Sequence, residues 1–415
     1  MQYFFILGNN PAVSAAEIMA VADEFSLTVG EMSRQVLLAD SPKNIDESAL
    51  MARLGGTVKL GRVIDQPISS GVDSLAKLMA DQIQQGGAAG KNRFGFSVYS
   101  LDAQNPDVVA NKAATKLYRS GMETKRLLKE AGLSARWIKP ATGATLTSVV
   151  VEKEGLTKNG LEFVVLLKSG GLRVGVTSAV QPFSQFSKID FGRPERDAYR
   201  GMLPPKVARM MLNIAGVNPK TTLWDPFCGS GTVLTEALQL GLTNIFGSDL
   251  SRDAVADTED NIAWLKKQGF APKNIDVCTF VGDARERPEL IAAASVEAIV
   301  SEPYLGTPRR GRETRSELLE QLDELSDLYR AALTNWRKSL KDDAHIILAL
   351  PCYIMGAERL GLDAKWIAGN GYRVEPTVPT EAAAFFGTDV TKNHGVIYGR
   401  TGQLVWREIV CLRPR

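Results

Sequence analysis

From about residue 204 to residue 350 the chain alternates strand-like and helix-like segments, and this alternation limits its fold more than any other feature. A helix over 204–215 leads into a strand at Thr222–Trp224, a helix from Gly231, a strand at Asn244–Ser248 and a helix over Arg252–Lys267. Strands at Ile275–Val281 and Ala298–Ser301, a long helix over Ser316–Leu340 and a strand at Ile346–Leu350 follow. Strands joined through helices run parallel, with helices on both faces and ligands at the carboxyl ends of the strands. Val396–Tyr398 and Leu404–Leu412, joined by Arg400-Thr401-Gly402, predict an antiparallel hairpin at the end of that sheet.

The most informative run is Asp225-Pro226-Phe227-Cys228-Gly229-Ser230-Gly231-Thr232, at a strand end and directly before a helix. Glycines two apart let backbone approach a ligand closely, and the helix start offers unpaired amide donors. Gly247-Ser248-Asp249 closes the next strand, with its carboxylate 20 residues beyond Gly229, where a ribose needs an acceptor. Gly282-Asp283-Ala284 closes the third strand with another carboxylate. This order suits an adenosine moiety. A nicotinamide dinucleotide fits less well, because its fingerprint wants a third glycine where this chain has Leu234.

Residues before about 180 read as α+β. Strands are expected at Tyr3–Leu7, Gln35–Ala39, Thr57–Ile64, Phe94–Tyr99, Leu146–Val151, Phe163–Leu167 and Leu172–Thr177. Helices are expected after Ser14, with Glu17 completing a capping box, and over Ile45–Leu54. Lys112, Lys116, Arg119, Lys125, Arg126, Lys129, Arg136 and Lys139 face only Glu123 and Glu130 as acidic neighbours in the same stretch. Such a stripe can hold phosphates through counterion release, or simply be a solvated helix face. Arg309, Arg310, Arg312 and Arg315 crowd a loop after the fourth strand, and arginine forks suit phosphates and bases. Lys188, Arg193, Arg196 and Arg200 lie in a proline-bearing connector over 181–201.

The net charge is only +2, so a nucleic-acid partner would be drawn by local patches. Cys228, Cys278, Cys352 and Cys411 are isolated, which points to a reducing compartment, the cytoplasm by default, and to no thiolate zinc site. With His345 and His394 as the only histidines, no metal centre is expected. No apolar stretch approaches the roughly 20 residues that span a bilayer, so no membrane association is expected.

The glycine run with Asp249 and Asp283 resembles the Rossmann-like S-adenosylmethionine-dependent methyltransferases. That resemblance implies S-adenosylmethionine as cofactor, with Asp225 toward its methionine part, Asp249 toward the ribose and Asp283 toward the adenine edge. Phe227, Gly229, Gly231, Thr232, Leu250 and Ala284 would complete the cofactor site. Ser301-Glu302-Pro303-Tyr304-Leu305-Gly306 is similar to the turn of methyltransferases that act on an exocyclic base amine. There an Asp, Asn or Ser precedes Pro-Pro and an aromatic residue. A conjugated amine is a poor nucleophile, and acceptors near its hydrogens favour a pyramidal nitrogen. The resemblance assigns those acceptors to the Ser301 side chain and the Glu302 carbonyl, with Pro303 shaping the turn and Tyr304 stacking on an extruded base. Glu302 departs from the pattern, since a proline usually stands there.

Tyr3 to Pro11 with Ser14 to Glu17, Leu54 to Lys59, Arg200 to Lys206, and Gln403 to Ile409 look like segments of the tRNA guanosine-10 N2-methyltransferase family. Membership would imply an N-terminal ferredoxin-like region (1–56), a THUMP-like RNA-binding domain (57–180), a linker (181–201) and a Rossmann-like methyltransferase domain (202–415). Met202, Pro204 and Lys206 would border the methionine end of the cofactor. Lys112, Lys116, Arg119, Lys125, Arg126, Arg309, Arg310 and Arg312 would contact tRNA. The enzyme would act as a monomer, with a small activating subunit left open. Two rivals stand beside this reading: a DNA amino-methyltransferase, and an RNA-binding scaffold without activity.

Overall fold

The computed structural model describes the chain except residues 65–70, 87–91, 102–104, 197–201, 273 and 370. It divides into two compact units, one of residues 1–11 and 22–183, the other of 12–21 and 184–415.

The first unit is built on one eight-stranded sheet. Its strands are β1 (Gln2–Leu7), β2 (Thr28–Met32), β3 (Val36–Asp40), β4 (Thr57–Val63), β5 (Asn92–Ser100), β6 (Ala135–Ile138), β7 (Gly160–Lys168) and β8 (Gly171–Val180), in the spatial order β2-β3-β1-β4-β8-β7-β5-β6. Because β1 pairs with β4, the sheet runs uninterrupted across residues 56 and 57. Helix α1 (Pro11–Val21) starts earlier than expected, so Ser14 and Glu17 are buried interior positions rather than a cap. Glu17 instead accepts from Asn213 Nδ2 at 2.6 Å, and residues 12–21 count with the second unit. Helices α2 (Glu47–Arg53), α3 (Val72–Gln85) and α4 (Pro106–Glu130) follow. Leu146–Val151, expected as a strand, contains the start of helix α5 (Ser148–Lys153). Thr147 caps it by accepting from the Val150 amide at 3.3 Å, and local capping overrides the strand preference of three valines. At the centre of the sheet Lys59 is buried against Glu162 and donates to the Leu146 carbonyl at 2.7 Å. Ser97 and Thr177 donate to the same carboxylate at 2.6 and 2.7 Å, so the buried charges are paired and hydrogen-bonded.

The connector is not extended chain throughout: Phe183–Gly192 forms helix α6, with Phe186 and Ile189 buried. The second unit continues with α7 (Pro205–Ile214), β9 (Thr222–Asp225), α8 (Thr232–Gln239), β10 (Asn244–Asp249), α9 (Arg252–Lys267), β11 (Asp276–Val281), β12 (Val296–Ser301) and α10 (Arg315–Trp336). It ends with β13 (Leu340–Met355), β14 (Glu358–Gly361), α11 (Ala364–Ala368), β15 (Tyr372–Glu375), α12 (Thr380–Phe386), β16 (Val396–Tyr398) and β17 (Val405–Pro414). The order is β11-β10-β9-β12-β13-β17-β15, parallel from β11 to β13 and antiparallel beyond, with β16 hairpinned onto β17. Helix α10 stops at Trp336, before the expected Leu340, because Leu340 already pairs with Val296 of β12. Its Leu318, Leu322, Leu325, Tyr329, Leu333 and Trp336 recur at helical spacing and are buried. Each large apolar side chain so buried contributes about 1.5–3 kcal/mol.

The chain leaves β9 for β10 and β11 on one side, then returns to β12 on the other. The strand order therefore reverses between β9 and β12, the position where an open parallel sheet leaves a crevice for ligands.

Candidate active site

The glycine run occupies that crevice. Gly229 and Gly231 have φ of +52° and +79°, and Gly231 caps α8 in the left-handed region. A Cβ on Gly231 would sit 2.9 Å from Thr258 of α9, so both backbone angle and space require glycine. The turn is fixed from outside as well. Asp249 Oδ2 accepts from the Gly229 amide at 3.0 Å, Thr258 Oγ1 donates to the Gly229 carbonyl at 2.7 Å, and Asn261 Nδ2 donates to the Ser230 carbonyl at 2.8 Å.

A cavity of about 760 Å³ opens here. Of the sequence-derived positions it brings together Met202, Asp225, Phe227, Gly229, Thr232, Asp249, Leu250, Asp283, Ala284, Glu302, Pro303 and Tyr304. Four others do not line it. Gly231 is the N-cap of α8, and Pro204 is the N-cap of α7. Lys206 is largely buried with its ammonium over the Phe186 ring, 5.2 Å from the centroid, and burial lowers its pKa. Ser301 is fully buried and its Oγ donates to Asp225 Oδ1 at 2.6 Å. The serine hydroxyl is thus turned into the protein, toward Asp225 rather than toward the cavity.

Asp225 is buried at the base of the cavity. Desolvation pushes its carboxyl up to about 7, against the lowering effect of Ser301 and of the Phe227 amide 3.1 Å away, and the nearby charges of Asp249 and Glu302 raise it further. Asp283 differs, with its pKa lowered by Arg285, whose guanidinium and backbone amide both donate to it. Over the cavity the turn after β12 is held by two phenols from below. Tyr329 OH donates to the Tyr304 carbonyl, and Tyr353 OH donates to the Leu305 carbonyl at 2.8 Å. Gly306, at φ +94°, leaves no room for a Cβ beside Tyr353 OH. Tyr304 itself is 52% exposed at the rim.

The basic residues divide. Arg309 is buried at its guanidinium and donates through Nη1 to the Ile354 and Leu404 carbonyls, both at 2.8 Å, so it stitches β13 to the start of β17 rather than facing solvent. Arg310 and Arg312 are exposed, and Arg315 pairs with Glu358 at 3.1 Å. Arg193 also points inward, donating to Thr232 Oγ1 at 2.7 Å, while Arg200 and Gly201 lie outside the described residues. On α4, Lys112, Lys116, Arg119 and Lys125 are exposed, whereas Arg126 is ion-paired with Glu123 and Glu130. Sequence reasoning missed Thr258, Asn261, Tyr329, Tyr353 and Arg407, whose signals are isolated side chains with no local pattern.

Residues 193–360 match the UPF0020 family, described as RMKL-like, methyltransferase domain. This stretch is therefore similar to a methyltransferase domain. A tRNA (guanine(10)-N2)-dimethyltransferase of Methanothermobacter thermautotrophicus is 31% identical over 156 residues, 38% of this chain and 40% of that protein, so the match spans about two fifths of that relative's length. The enzyme of the same name from Methanocaldococcus jannaschii is 25% identical over 364 residues, 84% of this chain and 90% of that protein. The crystal structure of TrmN from Thermus thermophilus shares the fold with a TM-score of 0.55 at 15% identity, covering all of both chains.

The cavity fits S-adenosylmethionine on two counts. The turn presents close backbone next to the Asp249 carboxylate, as a ribose requires, and Asp225 is a buried carboxylate suited to a cationic ligand group. A ligand cation favours the ionised Asp225, so binding below pH 7 must first release its proton. The dissociation constant is expected to rise toward tenfold per pH unit below about 7 and to level off above about 8. Calorimetry across pH 5.5–8.5 measures this, and a flat profile contradicts the placement of the cation at Asp225.

Proposed function

We propose that the chain is an S-adenosylmethionine-dependent tRNA methyltransferase acting on the exocyclic N2 amine of a guanosine, of the position-10 type. One observation carries this reading: the glycine turn after β9 and the Tyr304 turn after β12 open into one cavity at the strand-order reversal. The likeness to the M. jannaschii enzyme over 84% of this chain and 90% of that protein supports the substrate. When bound, the cofactor supplies an electrophilic methyl group on a sulfonium. Asp225 faces its charged end, Asp249 accepts from the ribose, and Leu250 and Ala284 flank the adenine. Tyr304 stacks on the target base. Positioning of donor and amine provides most of the acceleration, so no strong base at the outset is required.

Methyl transfer from labelled S-adenosylmethionine to tRNA, compared with duplex DNA, tests the function, and nucleoside mass spectrometry identifies the product. Label in tRNA as N2-methylguanosine is the expected result, and label confined to DNA overturns it. The same reading places the enzyme in the cytoplasm, acting as a monomer. It also gives the exposed Lys112, Lys116 and Arg119 of α4 to the tRNA backbone, and no ion pair involves them among the described residues. Changing all three to alanine is expected to lower tRNA affinity and to reduce the slope of log affinity against log salt by roughly 2 to 3, as lost phosphate contacts would. Filter binding from 50 to 200 mM salt measures it, and an unchanged slope excludes this face.

A further inference from the structure

The turn after β12 departs from the amine-methylating pattern at two positions, and the structure ties the departures together. Ser301, where the usual acceptor stands, is fully buried and spends its hydroxyl proton on Asp225. Glu302, where a proline is usual, lines the cavity beside Pro303 and Tyr304. Its Oε1 accepts from Arg407 Nε at 2.6 Å, an ion pair with side chains only 14% and 7% exposed. Arg407 comes from β17, placed by pairing with Pro351 of β13 and Tyr398 of β16. A carboxylate at this point with no cation beside it would be costly, and Arg407 offsets that cost. Proline could offer an incoming amine only a backbone carbonyl. A carboxylate carries about four acceptor sites, and the Arg407 bond takes one of them.

Resting on the methyl-transfer reading above, we propose that the Glu302 carboxylate, oriented by Arg407, is the acceptor that engages the exocyclic amine, in place of the side chain at position 301. Glu302 accepts a hydrogen bond from the amine and so favours a pyramidal nitrogen. It then takes the proton that the nitrogen sheds once that nitrogen has bonded to the methyl carbon and the carbon–sulfur electron pair has gone to sulfur. The proton leaves Glu302 for water through the open side of the cavity. Arg407 is the positioning residue, fixing Oε1 while the carboxylate does the accepting.

The test compares wild type, Glu302→Gln, and the double variant Glu302→Met with Arg407→Met, which leaves no unpaired buried charge. Thermal midpoint and S-adenosylmethionine affinity verify that each is folded. Under single-turnover conditions with cofactor and tRNA saturating, Glu302→Gln is expected to transfer methyl about 100-fold more slowly, the scale of a lost charged hydrogen-bond acceptor at the amine, and the double variant at least as slowly. With S-adenosylhomocysteine in the site, wild type should bind tRNA carrying the target guanosine about 5- to 10-fold tighter than tRNA with inosine there, which lacks the amine. The double variant should bind the two equally. A rate within threefold of wild type in either variant, or guanosine preference retained in the double variant, overturns the proposal and leaves Glu302 a structural partner of Arg407. Wild type active on duplex DNA but not tRNA removes only the substrate reading, and the variants are then compared on DNA. Inactivity of wild type on both polymers overturns both.

Discussion

Asp249→Ala is expected to weaken S-adenosylmethionine binding about 30- to 1,000-fold. On the proposed placement the carboxylate accepts from the ribose hydroxyls, and a hydrogen bond to a charged group contributes about 1.5–3 kcal/mol. Its two oxygens also accept from the Gly229 amide at 3.0 Å and the Ser251 amide at 2.9 Å, so its removal frees the turn that the ligand rests on. Together these effects amount to about 2–4 kcal/mol. Calorimetry at pH 8, where Asp225 is mostly ionised, isolates the effect from the proton linkage described above. Affinity within threefold of wild type would show that the ribose does not lie at the end of β10.

Tyr304→Ala should lower methyl transfer about 5- to 150-fold, the equivalent of the roughly 1–3 kcal/mol that one base gains by stacking. The loop itself should survive, because what anchors it here is the backbone carbonyl of residue 304, which accepts from Tyr329 OH. Cofactor affinity is therefore expected to change less than threefold, and Tyr304→Phe, which keeps the ring, to stay near wild type. Single-turnover kinetics beside cofactor titration separates the two quantities. A Tyr304→Ala enzyme of full rate would mean that the target base docks elsewhere on the cavity rim.

Much of the second unit was legible because its signals are local. Strand and helix alternation, two glycines before a helix, and carboxylates closing successive strands follow from short-range chemistry, and the cavity gathers twelve of the sixteen cofactor and catalytic positions that these signals and the family resemblance together implied. What spacing does not encode is side-chain direction. Ser301 sits at the expected turn, yet the buried Asp225 carboxylate draws its hydroxyl inward. Arg309 lies in an arginine-rich loop, yet two backbone carbonyls at a strand junction capture its guanidinium. Lys206 follows a proline at a helix start, and an aromatic ring of α6 covers its ammonium. Residues that steady the site from α9, α10, β13 and β17 carry no local signature, because each meets its partner only after long-range packing. In the first unit the strands with strong β-branched or aromatic runs were readable. Thr28–Met32 and Ala135–Ile138 were not, being only five and four residues long.

The position of β17 has a consequence for how the chain matures. It lies between β13 and β15, so its two neighbours are synthesised before it and must receive it as an inserted strand. Arg407 arrives with it, and so does the Leu404 carbonyl that Arg309 binds. The glycine turn after β9 contains no residue of β17, whereas Glu302 gains its ion-pair partner only when residues 405–414 pair with β13 and β15. On the proposed role of Glu302, insertion of this last strand is the step that sets the carboxylate in its working orientation.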